Sequence, residues 1–246
     1  ITYEKGEIKD ATQKAGGGIG LRVIGKNGKE GITFSSDFST HALEVISHQA
    51  VKMMKASTPN PFFKDLASPS DKYTHINGIY DPKIPNICPD DIDDLLDPIL
   101  DLKNRPMKPR SLSGSFSSSL GTVFIKNSNG IQKWEKYTTV GCNVECSLKS
   151  NGVPSSGFDW QTVCHLDDLM VSEIARTCYQ RAERGLSRQS VKSGKYPIIL
   201  SPLAVASFLL GPLSRAINAE RVQNKMSFLQ EDLNQTIGSE KFSVKD

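Results

Sequence analysis

Residues 120–148 read Leu120-Gly-Thr-Val-Phe-Ile-Lys126, then Asn127-Ser-Asn-Gly130, then Ile131-Gln-Lys-Trp-Glu-Lys-Tyr-Thr-Thr-Val-Gly-Cys-Asn-Val-Glu-Cys-Ser-Leu148. Two runs rich in β-branched and aromatic residues flank a short Asn/Ser/Gly turn, the pattern of a strand that doubles back on itself. The serine-rich run Ser111 to Ser119 precedes them as a further strand. The block therefore predicts sheet, with Leu120 to Lys126 buried and Ile131 to Leu148 returning in one or two strands. Trp134 and Tyr137 are its expected anchors. Cys142, Val144 and Cys146 recur with period two and share one face.

Helical periodicity brackets this block. Ile92, Leu95, Leu96, Ile99 and Leu100 mark a helix over Asp90–Asp101 whose other face is acidic, with carboxylates in the first turn suiting the helix dipole. A calcium reading of these carboxylates lacks the ligand order and central glycine of an EF-hand. Leu166 to Gly185 is amphipathic through Ile174, Ala175, Cys178 and Ala182, with Gly185 as the expected residue just past the helix end.

Nearer the start, Ile1 to Ala11 suggests one strand of polar alternation. Leu21-Arg-Val-Ile24 and Gly31-Ile-Thr-Phe-Ser35 flank Asn27-Gly28, a strong hairpin signal because both turn residues tolerate positive φ. Asp37 or Ser39 caps a helix from Thr40 to Lys55, with Ala42, Val45, Ile46, Ala50 and Met53 inward. The glycines at 16, 17, 18 and 20 lack dinucleotide-binding spacing and run into a strand, not a helix, so they read as a turn. Leu66 to Pro89 reads as an extended connection.

These patterns give a mixed α+β fold of antiparallel or mixed sheets flanked by helices. It divides into a first α/β part at 1–66, an extended connection with the acidic helix at 67–110, and a sheet-and-helix part at 111–246. The net charge of +3 is too small and scattered for a nucleic-acid surface. No apolar run is long enough to span a membrane, and the start, polar from its second residue, does not read as a signal peptide. Ile1 opens inside an expected strand and Phe242–Asp246 reads as another entering a further domain, so the chain reads as a portion of a longer protein. The odd count of five cysteines suits reduced thiols in a cytoplasmic setting better than a disulfide framework. Cys142, Cys146 and Cys164-His165 could in principle hold a metal, but their strand spacing favours buried structural thiols. Ser117, Ser118 and Ser119 sit on no nucleophile elbow.

Tyr196-Pro-Ile-Ile-Leu200 reads as a short buried strand, and Ser201-Pro202 as a helix start. Leu203 to Ile217 then forms an apolar helix containing no His, Asp, Glu or Cys.

Gly20-Leu-Arg-Val-Ile24, Gly28-Lys29-x-Gly31, Ser35-Ser-Asp37, Asn127-Ser-Asn-Gly130, Ser193-Gly-Lys-Tyr-Pro-Ile-Ile-Leu-Ser-Pro202 and Ser227-Phe228 together resemble the TldD/PmbA family, in order and over nearly the whole chain. The resemblance implies a mixed α/β N-terminal domain, a β-rich C-terminal domain, and work as a cytoplasmic two-subunit peptidase. The TldD-type subunit carries a His-Glu-x-x-x-His zinc segment on a helix. Its histidines, five residues apart, would lie about 140° apart on a regular helix, so that helix must bend or bulge.

Counted back from Ser227-Phe228, the family's window falls on Leu210-Gly-Pro-Leu-Ser-Arg215. Leu210 and Arg215 replace the ligands and Gly211 the glutamate, while Pro212 is expected to preserve a kink. The resemblance thus implies a PmbA-type (TldE) subunit with no catalytic, cofactor-binding or metal-ligating residue of its own. Zinc is expected in a TldD-type partner, in a heterodimer or with this chain pairing with itself, acting on unfolded peptides without nucleic acid or membrane. Such peptides bind extended against a sheet edge, and Ser111–Ser119 is a candidate edge. Two alternatives stay open: an active zinc peptidase with ligands elsewhere or among His41, His48, His75 and His165, and a DNA gyrase-associated regulator.

Overall fold

The computed structural model describes residues 1–5, 7–70, 73–74 and 76–244. It divides into two units, Ile1–Gln189 and Ser190–Asp246. The fold is α+β, as its sequence patterns require.

In the first unit, β1 (Thr2–Glu4) and β2 (Glu7–Asp10) form a hairpin where one strand was expected. Lys5 adopts a φ of 56° and turns the chain back. Next, β3 (Ile19–Ile24) and β4 (Glu30–Ser35) pair antiparallel as expected, with Asn27 and Gly28 at φ 63° and 69° in the turn. Helix α1 (Thr40–Ala56) lies on this hairpin. The Ser39 hydroxyl caps it by accepting from the Ala42 N–H at 3.2 Å, while Asp37 accepts from the Ser39 N–H and hydroxyl and so orders the cap. The buried stripe runs through Ile46 and Ala50, whereas Val45 and Met53, expected inside, are exposed. Gly31 explains the rotation: it lies against the Ala50 carbonyl and the Met54 backbone, so the hairpin meets the helix along the row 46, 50, 54.

After a largely irregular connection, α2 (Pro89–Leu100) forms with Leu96 and Ile99 buried. The Asp91 carboxylate accepts the Cys88 N–H at 2.9 Å and its thiol at 3.0 Å, a capping box with cysteine where serine is usual. Three strands follow, β5 (Ser111–Lys126), β6 (Gln132–Ser150) and β7 (Val153–Val163). With the first hairpin they make an antiparallel sheet ordered β2-β1-β5-β6-β7. No sequence expectation covered β7. Its signal is Asn151-Gly152, a second positive-φ hairpin turn at 48° and 84°.

Helix α3 (Val171–Leu186) packs on one sheet face. It starts at Val171, not Leu166, because Leu166–Asp168 is a separate 3₁₀ turn held by Asp81. Gly185 lies inside the last turn, against the Ser155 side chain, rather than beyond the helix end. Cys142, Val144, Cys146 and Leu148 are buried in this layer with Ile174, Cys178, Leu96 and Ile99.

The expectation that Leu120–Lys126 is buried, anchored by Trp134 and Tyr137, is corrected. Phe124 is 56% exposed, Trp134 64% and Tyr137 39%. β1 pairs with β5 only at Ser113–Ser115, and β7 pairs with β6 only from Val140 onward. Beyond those points the β5–β6 hairpin runs on as a two-stranded arm.

In the second unit, Tyr196–Leu200 is not a buried strand. It forms no ladder among the described residues, and Ile199 is fully exposed. Helix α4 (Pro202–Val205) starts as expected, its Ser201 hydroxyl accepting from the Ala204 N–H at 3.3 Å. The apolar helix is then interrupted by a π turn at Ala206–Leu210 before α5 (Gly211–Ala216). A short α6 (Ala219–Gln223), capped by Asn218, follows. Residues 242–244 form no strand, and 245–246 lie outside the described residues.

Candidate functional site

The expected zinc window begins where the π turn ends. Pro212 has no N–H to offer the Phe208 carbonyl one turn back, and its ring crowds that oxygen; the widened turn relieves both problems. The bend foreseen for this helix is thus present as a π turn. The apolar side chains of this turn are not buried: Phe208 is 79% exposed, and Leu209 and Leu210 are exposed as well. Ser214 donates its hydroxyl to the Leu210 carbonyl. Ser227, 7% exposed, donates to the Ala216 carbonyl at 2.6 Å and accepts from the Leu229 N–H at 3.0 Å, pinning the end of α5.

The window offers zinc a poor donor set. Leu210, Gly211, Pro212 and Leu213 bring no side-chain donor atom, Ser214 is committed to the helix backbone, and Arg215 is cationic. Zinc requires imidazole, thiolate or carboxylate ligands, and these residues do not fit it.

The histidines do not assemble a substitute. His41 and His48 lie exposed on α1, two turns apart. His75 falls outside the described residues. His165 stands 4.0 Å from Asp81 in a structural staple. Asp81, 4% exposed, accepts the N–H groups of Leu166 and Lys83, each at 2.8 Å. Those bonds, Leu166 first, hold its carboxyl below the usual carboxylate range. Thr138 completes the staple, accepting from the Asp81 N–H at 2.8 Å and donating to the Cys164 carbonyl at 2.9 Å. Sequence reasoning missed it because its members lie far apart in the chain.

Cys142, Cys146 and Cys178 are buried thiols in the sheet–helix core. Burial pushes the Cys142 thiol up to about 11, and Cys178 is raised by its neighbour Cys146 and by burial. Among the described residues, no group of three or more His, Cys, Asp or Glu is placed to hold a metal ion.

The sheet face turned away from α3 is polar where β5 and β6 meet. Ser115 accepts from the Asn143 amide at 2.6 Å, Ser119 shares a 2.6 Å bond with Thr139, and Ser111 a 2.7 Å bond with Ser147. These hydroxyls are engaged across the strands, two pairs with each other and Ser115 with the Asn143 amide, with no imidazole among their partners. Beside them, Ser117, Asn143, Thr162, Phe158 and Trp160 line an open hollow of about 450 Å³ floored by Gly141. Such a surface can hold a chain but brings no general base.

Comparison with known proteins fits this arrangement. Residues 1–54 match the model for PmbA/TldA metallopeptidase domain 1, residues 89–186 that for its central domain, and residues 193–246 that for its C-terminal domain. The chain belongs to the PmbA/TldD family. A metalloprotease of Methanocaldococcus jannaschii is 27% identical over all of this chain and 55% of its own length. An uncharacterized protein of the same organism is 27% identical over 93% of this chain and 51% of its own. The chain therefore spans about half the length of the curated relatives it matches.

Among solved structures, a Bacteroides thetaiotaomicron protein named as a modulator of DNA gyrase superposes with a TM-score of 0.83 at 21% identity, covering 97% of this chain and 55% of the other. TldE from Thermococcus kodakarensis gives 0.71 at 18% identity, covering 94% and 52%. At these identities the likeness carries the PmbA/TldD fold alone. Among the described residues no helix is long and apolar enough to cross a membrane.

Proposed function

We propose that this chain is the TldE-type, non-catalytic subunit of a cytoplasmic metallopeptidase that processes unfolded peptides, its zinc carried by a TldD-type partner. The observation that supports this reading most directly is the donor set at Leu210–Arg215, where no side chain can ligate zinc in the family's manner. The polar face and hollow beside β5 and β7 supply a surface against which an extended peptide could lie.

A second reading has support of its own: the metalloprotease relative matches the entire chain, which favours an active peptidase whose ligands lie outside residues 1–246. Metal analysis and peptide cleavage on the intact protein, with and without a TldD-type subunit, separate the two. The first reading expects no stoichiometric zinc in this protein alone and cleavage only with the partner. Stoichiometric zinc together with unaided proteolysis overturns it.

A further inference from the structure

Glu145 is an exposed carboxylate that pairs with no cation among the described residues. It stands on β6 directly opposite Phe158 of β7, and its neighbour on the same face, Asn143, stands opposite Trp160. The Phe158 carbonyl accepts from the Arg181 guanidinium, so Phe158 turns its backbone groups away from β6. Glu145–Phe158 is therefore a non-hydrogen-bonded pair, the kind whose side chains approach most closely, with Cα atoms about 4.5 Å apart. By alternation along the ladder Asn143–Trp160 is another. The reverse face of these strands carries Val144 and Cys146 into the core, and neither ring belongs to that core. Phe158 and Trp160 stay 44% and 47% exposed.

The patch thus sets one anion beside two ring faces. The face of an aromatic ring is negative, so it attracts the same sign of charge as the carboxylate. An anionic ligand is repelled by Glu145, and an apolar one strips water from it without returning a bond. A cation satisfies all three groups. The chain's own cations do not fill this role. Arg181 is held at 2.7 Å by Asp159, whose side chain alternates to the other face. Lys9 is held at 2.6 Å by Glu4. Lys149 shares the face of Glu145 but lies four residues, about 14 Å, along β6.

We propose that Glu145, Phe158 and Trp160 bind the side chain of a lysine or arginine in an extended peptide. The carboxylate takes the charge, and the rings take the aliphatic stem and one face of the cation. Arginine binds more tightly than lysine, because a planar guanidinium stacks on a ring while bonding a carboxylate through two N–H groups. The adjoining hollow, floored by Gly141, offers the hydroxyls of Ser117 and Thr162 to the peptide main chain. This inference rests on the reading of the sheet face as a peptide surface and gives that surface a side-chain preference.

The test is a titration of the intact protein with unstructured Gly/Ser decapeptides that differ at one central residue, Arg, Lys, Gln, Leu or Glu. Binding is read from the indole N–H signal of Trp160 by nuclear magnetic resonance, with Trp134 on the β5–β6 arm as the control. The Arg and Lys peptides should bind at least about tenfold more tightly than the Gln peptide, and the advantage should shrink in high salt. Glu145→Gln should abolish the advantage and leave binding of the Gln peptide unchanged. Trp160→Leu, followed by the amide signals of β7, should weaken the Arg peptide by about two- to fivefold. Circular dichroism should be the same for all three proteins. Equal binding of the Arg and Gln peptides overturns the proposal, as does an Arg preference that survives Glu145→Gln. Tightest binding of the Leu peptide overturns it and assigns the hollow to apolar side chains. Binding of no peptide overturns it together with the peptide-surface reading. Neither zinc nor cleavage enters the measurement, so unaided zinc-dependent proteolysis would overturn the non-catalytic reading and leave this preference standing.

Discussion

Gly157 lies directly against the backbone of Cys178: a methyl group at position 157 would collide with the Cys178 carbonyl and the Ala182 nitrogen. In return the Cys178 thiol donates to the Gly157 carbonyl at 3.2 Å. This contact lets α3 approach the β6–β7 pair closely enough to bury Cys146 and Ala182 completely. Gly157→Ala should force the helix off the sheet and cost about 1–3 kcal/mol, the range for overpacking in a tight interior. Urea denaturation measures it; an unchanged midpoint would show that the layer spacing is soft.

Asp81 should make the first unit acid-sensitive. Its pKa is depressed in the folded state, so its stabilising contribution is present above the unfolded value near 3.9 and lost as pH falls through the lower folded value. Asp81→Ala should remove that part of the acid transition. At neutral pH it should cost about 1–3 kcal/mol for each backbone N–H left without a partner. Stability profiles from pH 2 to 7 for both proteins check this, and parallel profiles would mean that Asp81 does not carry the effect.

What the sequence disclosed depended on how local each signal was. The Asn27-Gly28 turn, the Ser39 and Ser201 caps and the period-two row at Cys142, Val144 and Cys146 involve neighbours in the chain, and the structure contains them. The orientation of α1 depends on Gly31 meeting Ala50, a tertiary contact, and the inward set was therefore misread by one position at Val45 and Met53. Leu120–Lys126 misleads more deeply. Its composition is that of a core strand, yet whether it is buried depends on how far β1 and β7 extend alongside it. The zinc window expected at Leu210–Arg215 rests on the family's spacing alone, and the π turn beside it was foreseen only as a required bend.

The five thiols should separate by burial. Cys88 is exposed and Cys164 half-buried, while Cys142, Cys146 and Cys178 are enclosed in the core. Reaction requires the thiolate, and burial drives the Cys142 thiol up to about 11. Titration with a disulfide reagent at neutral pH should modify Cys88 first and Cys164 more slowly. The other three should react only on unfolding. Rapid labelling of Cys142 would mean that the sheet–helix layer opens readily.

Pro212 gives the sharpest test of the interrupted helix at Pro202–Ala216. If the π turn at Ala206–Leu210 exists because proline withholds an N–H and crowds the Phe208 carbonyl, Pro212→Ala should let a regular helix run from Pro202 to Ala216. The proline ring is exposed, so little packing is lost. The gain in helix stability should approach, without exceeding, about 3 kcal/mol, the propensity difference between proline and alanine in a helix interior. Amide exchange in the intact protein should slow across residues 211–216. Unchanged or faster exchange would show that the π turn is imposed by something other than Pro212, such as the packing of the chain around Ala206–Leu210.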